Sequence, residues 1–121
     1  MVEARILIAD DSKMNQQILS EILGDRYEYL YADDGMQALD LLHSEFDIDL
    51  LLDINMPRLD GFGVIEGVRA NPDHRATPIL VLTTESDAAK KERARAAGAT
   101  GWIVKPFNPV KLVEAVRRVA A

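Results

Sequence analysis

The sequence predicts an α/β fold: a single doubly wound, five-stranded parallel sheet with helices on both faces. Three observations carry that expectation. Short β-rich runs alternate five times with segments of helical period, the pattern of repeated strand-helix units. Leu50, Leu51 and Leu52 form an unbroken apolar run, as a central parallel strand covered on both faces requires. Acidic residues, a hydroxyl and a lysine stand where the apolar runs stop, and in open parallel sheets ligands bind in the crevice at the carboxyl ends of the strands.

The first strand is read over Val2-Ala9. In the helix that follows, Met14, Ile18 and Ile22 recur at i+4 with Leu19 and Leu23 beside them, which predicts one buried apolar face, and Gly24 is placed to end it. Tyr27-Ala32 is the second strand, after which Asp34 with Gln37 approximates a capping box at the start of the second helix. The third strand is Ile48-Leu52. Gly63 and Gly67 each cost the third helix about 1 kcal/mol relative to alanine, and close packing on the sheet is the expected reason for them. Asn71-Pro72-Asp73 and Thr77-Pro78 punctuate the turn into the fourth strand, Ile79-Thr83. An alanine-rich fourth helix stops at Gly98, and Gly101-Val104 is the fifth strand. Asn108 is a good N-cap with Pro109 at the first helical position, and Leu112, Val113, Val116 and Val119 give the last helix its apolar face.

A chain of 121 residues suits one domain over 1–121, with no internal repeat, linker or low-complexity segment. The absence of cysteine removes disulfides and thiolate metal sites. No apolar stretch approaches the ~20 residues of a membrane span, and no signal sequence is read at the N-terminus, so a cytoplasmic protein with no membrane partner is expected. Net charge −6 and a pI near 4.8 argue against direct binding of nucleic acid through phosphate neutralisation.

The strand exits carry the chemistry. Asp10 and Asp11 follow the first strand, Asp53 the third, Thr83 ends the fourth and Lys105 follows the fifth. Carboxylates for a hard cation, a nucleophilic carboxylate, a hydroxyl and an ammonium together make a phosphoryl-transfer site. Taken singly, each has a plainer role: the acidic pair as helix caps, Thr83 as a strand residue, Lys105 as a surface cation. Asp53 resists such a reading, because a carboxylate closing a buried leucine run costs desolvation unless a metal or cation meets it.

In these motifs the chain resembles the receiver domains of two-component response regulators. The match runs from Arg5-Ile-Leu-Ile-Ala-Asp-Asp-Ser12 through Leu51-Leu-Asp-Ile-Asn-Met-Pro57 and Asp60-Gly61 to Val81-Leu-Thr-Thr84 and Lys105-Pro-Phe107, essentially the whole chain. The resemblance implies a flavodoxin-like (βα)5 fold. It implies that Asp53 receives a phosphoryl group from a histidine kinase or phosphotransfer domain, with Thr83 and Lys105 assisting. It also implies a Mg²⁺ ion held by Asp11, Asp53 and the backbone carbonyl of Asn55, with Asp10 acting through a metal-bound water. A cis bond between Lys105 and Pro106 is a further implication, as is an output protein docking on the face of the fourth helix, fifth strand and fifth helix.

Trp102 stands where the family usually has tyrosine or phenylalanine, as either a packing aromatic or a rotamer switch coupled to Thr83. Asn55 and Glu85 occupy the two positions that tune loss of the phosphoryl group, and an amide and a carboxylate there are like those of the fast-cycling chemotaxis regulator. The run Gly98-Phe107 also resembles the stand-alone chemotaxis type, whereas the first half suits receivers fused to output modules or hybrid kinases. Lys90, Lys91, Arg93 and Arg95 are either a solvated helix face or a partner surface. His43 and His74 lie away from strand exits and are not expected to bind metal or phosphate. An aspartate-nucleophile phosphatase of the haloacid dehalogenase type would place a second acid two residues after its nucleophile, but Asn55 follows Asp53 and Ser12 follows Asp10. A flavin-binding module would need a glycine-rich phosphate loop that Asp10-Asp11-Ser12-Lys13 does not supply.

Overall fold

A computed structural model describes residues 4–44, 48–54, 56, 58–84, 88–105 and 108–120. The strands are β1 (Ala4–Ala9), β2 (Tyr27–Ala32), β3 (Ile48–Asp53), β4 (Ile79–Thr83) and β5 (Gly101–Val104). The helices are α1 (Lys13–Leu23), α2 (Gly35–Ser44), α3 (Gly61–Ala70), α4 (Ala88–Ala97) and α5 (Pro109–Ala120), with single 3₁₀ turns at Gly24–Arg26 and Pro72–His74. All strand pairs are parallel, in the order β2-β1-β3-β4-β5. The chain steps outward from β1 to β2 and then returns to the other side of β1 with β3. The order therefore reverses between β1 and β3, which opens a crevice at their carboxyl ends.

Alternation along each strand divides the core into two layers. Ile6, Ile8, Leu51, Leu80 and Leu82 face Leu19 and Leu23 of α1 and Leu112 and Val116 of α5. Leu7, Leu50, Leu52 and Val81 face the other way, onto Ala38 and Leu42 of α2, Val64, Ile65 and Val68 of α3, and Ala94 of α4. The predicted doubly wound sheet is what forms, with β3 carried one residue further, to Asp53. Val2, in the expected first strand, lies outside the described residues.

The expected apolar face of α1 is corrected. Met14 is 71 % and Ile18 41 % exposed, and the buried stripe is Gln16, Leu19 and Leu23. The cause is a side-chain amide: buried Gln16 hydrogen-bonds backbone at the strand exits and fixes the rotation of the helix about its axis. Hydrophobicity alone would have turned it by about one residue.

The glycines of α3 are corrected in part. Close packing is their role, but against other helices and loops rather than the sheet. A Cβ on Gly63 would collide with the Leu59 side chain, and one on Gly67 would come within 2.9 Å of Leu39 of α2. Gly61 is the least yielding case, since its Cβ would lie 2.7 Å from a backbone atom of Ile54, just beyond Asp53, rather than from a side chain that can move.

The caps behave as the sequence suggests. Asn108 accepts from Val110 N–H, Gln37 N–H donates to Asp34 and the Gln37 side-chain amide oxygen accepts from Asp33 N–H, while Asp60, not foreseen as a cap, accepts from Gly63 N–H. At α1 the cap is Ser12, which accepts from Asn15 N–H at 3.2 Å. That leaves Asp10 and Asp11 without a capping duty. Gly98 sits at φ +117°, a left-handed backbone that favours glycine at the end of α4.

Candidate functional site

β1 and β3 run in register from Arg5 opposite Ile48 to Ala9 opposite Leu52, so the residues that follow emerge side by side. One carboxylate oxygen from each of Asp10, Asp11 and Asp53 lies within 4.8 Å of the others, the one such acidic cluster among the described residues. Their exposures grade across the crevice: Asp10 is buried, Asp53 half-buried and Asp11 exposed.

Asp10 is 2 % exposed, so its charge is compensated by fixed partners rather than solvent. Oδ1 accepts from Ser12 N–H at 2.9 Å, and Oδ2 lies 3.5 Å from Lys105 Nζ. Lys105 reaches across from the end of β5, and its own backbone N–H donates to the Thr83 carbonyl at 2.6 Å. Thr83 is fully buried at the end of β4. Asp10, Asp11 and Asp53 thus gather with Lys105 at one crevice, and Thr83 ends the strand next to that of Asp53.

An all-oxygen, carboxylate-rich donor set suits a hard divalent cation, and Mg²⁺ in particular takes only one or two carboxylates and keeps several waters. Such an ion would also relieve repulsion among the three acids. One Asp10 oxygen already accepts a backbone N–H and the other faces Lys105, whereas Asp11 and Asp53 are the more open members of the cluster that could hold such an ion.

Asn55, Glu85, Pro106 and Phe107 lie outside the described residues, and with them the carbonyl ligand, the tuning pair and the expected cis bond. Trp102 is half-buried on β5 opposite Val81, and packs against the α2-α3-α4 layer of the core. Beside it, Lys91, Ala94, Arg95, Ala99, Thr100 and Gly101 complete the lining of a cavity of about 140 Å³. Lys90, Lys91, Arg93 and Arg95 of α4 are all exposed, although Arg93 also lies 4.0 Å above the Phe62 ring.

His43 lies on α2, as expected, and is exposed, while His74 is buried. Its Nε2 lies 2.6 Å from the Leu42 carbonyl and its Nδ1 3.0 Å from Thr77 Oγ1. A carbonyl only accepts, so Nε2 carries a proton and the ring ties the turn after α3 to the end of α2.

Sequence reasoning missed Gln16. Buried in the middle of α1, it donates from Nε2 to the Asp10 carbonyl at 2.7 Å, the Ala32 carbonyl at 3.3 Å and Asp33 Oδ1 at 2.9 Å. Asp33 is held below the usual carboxylate range, first by the Gln16 hydrogen bond and then by Lys13, whose ammonium lies 3.1 Å away. The signal available in the sequence was an amide inside an otherwise apolar helical stripe.

Comparison with known proteins matches residues 6–117 to the sequence model of the response regulator receiver domain. The chain is 38% identical over 116 residues to the ycf27 protein of Guillardia theta, and spans 44% of the length of that relative. It is 35% identical over 118 residues to a chemotaxis protein CheY homologue of Campylobacter jejuni, covering 95% of this chain and 91% of the other. Among solved structures, the chemotaxis response regulator CheY4 of Vibrio cholerae superposes with a TM-score of 0.89 at 42% identity, over 96% of this chain and 98% of that one. The receiver domain of the sensor histidine kinase PA1611 of Pseudomonas aeruginosa, which holds a magnesium ion in its active-site cleft, superposes with a TM-score of 0.86 at 28% identity over 97% of both chains.

Proposed function

Because the chain belongs to the response regulator receiver domain family, we propose that it is a phospho-accepting switch in which Asp53 takes a phosphoryl group from a partner histidine kinase. The observation that carries this reading is the convergence of the Asp10, Asp11 and Asp53 oxygens within 4.8 Å of one another, beside Lys105 and buried Thr83. A carboxylate oxygen of Asp53 attacks phosphorus as the P–N bond of the donor's phosphohistidine breaks, and the bonding pair returns to the imidazole nitrogen. The product is an acyl phosphate on Asp53.

Asp11 and Asp53, with the carbonyl of Asn55, would hold Mg²⁺, and Asp10 would act through one of its waters. Bound there, the ion neutralises charge on the transferring oxygens. Lys105 serves the same charge from the other side once it exchanges its 3.5 Å contact with Asp10 for a phosphoryl oxygen. The Thr83 hydroxyl donates to another. Asn55 and Glu85 set the lifetime of the product by orienting attacking water.

The altered surface would be the α4, β5 and α5 face, where an output protein docks, and the setting is the cytoplasm. Chemotaxis is the pathway that the 42% identity to Vibrio cholerae CheY4 supports. The likeness to ycf27 supports a second reading, a receiver within a multidomain regulator.

The test is phosphorylation by acetyl phosphate with Mg²⁺. The chain is expected to gain one alkali-labile phosphoryl group, and Asp53→Asn none. Equal labelling of that variant would overturn the assignment.

A further inference from the structure

We infer that Gln16 is a positioning residue for the cation site: its side-chain amide, through the Asp10 carbonyl, holds the β1 exit at the distance at which three carboxylates share one ion. The inference rests on the Mg²⁺ reading above and extends it to a residue outside the acidic cluster.

The geometry is specific. Asp10, Asp11 and Asp53 repel one another across the crevice, and that repulsion pushes the β1 exit away from β3. Gln16 fixes where that exit comes to rest, holding it from the β2 side of β1, across from β3. Its Nε2 donates to the Asp10 carbonyl at 2.7 Å and is shared with the Ala32 carbonyl and Asp33 Oδ1, so one buried amide joins the ends of β1 and β2. Its backbone N–H donates to the Ser12 carbonyl at 3.0 Å, and the Ser12 N–H in turn holds Asp10 Oδ1 at 2.9 Å. Both the main chain and the carboxylate of Asp10 are therefore fixed from residue 16.

Burial makes the amide hard to replace. At 4 % exposure the amide is shut off from water, and so are the Asp10 and Ala32 carbonyls it serves. Lys13 holds the Asp33 carboxylate from the solvent side, so the anchor that Gln16 pulls against is itself restrained. The same contacts that set the rotation of α1 thus set the aim of Asp10.

Isothermal titration of Mg²⁺ into the full chain tests this, with wild type, Gln16→Leu and Leu19→Ala compared. Leu19 is as deeply buried on the same helix face but makes no polar contact with the strand exits, so its truncation destabilises without loosening Asp10. Gln16→Leu is expected to raise the Mg²⁺ dissociation constant about tenfold or more, as loss of an outer-shell partner does, and Leu19→Ala to leave it within about twofold. If Gln16→Leu fails to fold, Gln16→Asn is read in its place, because its amide is one methylene too short to span the same acceptors. An unchanged constant in the Gln16 variant, or an equal rise in Leu19→Ala, overturns the inference while leaving the phosphoryl-transfer reading intact. Wild type that takes up no Mg²⁺ would overturn both.

Discussion

Arg69 of α3 donates from Nε and Nη2 to the Gly98 carbonyl, at 3.0 and 2.8 Å, and so ties the third helix to the turn that launches β5. The same guanidinium donates from Nη1 to the His74 carbonyl at 2.9 Å. Burial pushes its pKa down from the usual arginine value, and carbonyls rather than carboxylates compensate it. Arg69→Lys cannot reproduce this fork. It is expected to lose about 2 kcal/mol of stability, the scale of hydrogen bonds to a charged group, as read by urea denaturation.

His74→Phe keeps the ring volume while removing the proton that Nε2 gives to Leu42. The buried carbonyl would be left without its donor, at about 1–3 kcal/mol. Phosphorylation of Asp53 should be unaffected at a temperature where the variant is folded. Loss of labelling there would place His74 in the chemistry and contradict the structural role.

Asp49 shares the α1 and α5 face of β3 with Leu51, and desolvation by burial pushes its pKa up from 3.8 to about 6. An acid whose folded pKa is raised contributes stability that is full below the unfolded pKa of about 3.9 and lost as pH climbs through 6. Wild type should therefore lose stability between about pH 4 and 6. Asp49→Asn should match wild type near pH 4 and exceed it at pH 7 by roughly 1 kcal/mol, after allowance for the solvent that still reaches the group. Parallel pH profiles for the two would show that Asp49 stays solvated.

The three site carboxylates are held together against repulsion. Asp11→Ala is expected to raise the melting temperature of the ion-free protein, by about 3 °C for each kcal/mol relieved, and to abolish the rise expected of Mg²⁺ in wild type. A lower melting temperature would mean that Asp11 stabilises the turn it sits in.

Trp102 and Thr83 lie on the same side of the sheet, because Trp102 pairs with Val81 and Thr83 follows two residues later on β4. On the proposed reading, a Thr83 that turned toward a phosphoryl oxygen would vacate space for the indole to enter. Beryllofluoride with Mg²⁺ should shift the Trp102 emission and reduce acrylamide quenching, with no effect in Asp53→Asn and a smaller one in Thr83→Ala. An unchanged spectrum with the mimic bound would leave Trp102 a packing residue.

The fold was legible because strand runs, caps and glycine stops agree with one another: four of the five strands start where the β-rich runs do. The site was legible for a related reason, since strand exits carry residues that no core can use. What escaped were residues whose role lies in a polar contact across sequence. Nothing local reveals that Gln16 reaches Asp33 or that His74 meets Leu42, 17 and 32 positions away. Met14 and Ile18 misled for the complementary reason, because an amphipathic pattern ranks faces by hydrophobicity while buried hydrogen bonds decide which face turns inward.

The two core layers meet only at the backbone of the sheet, and neither contains the acids or the lysine at its exits. Drift in one layer is therefore screened from the other. Such a scaffold can change more than half of its side chains and keep its shape, as 42% identity at a TM-score of 0.89 illustrates. Lineages that share this architecture are free to diversify their surfaces while the same strand exits remain available to carry chemistry.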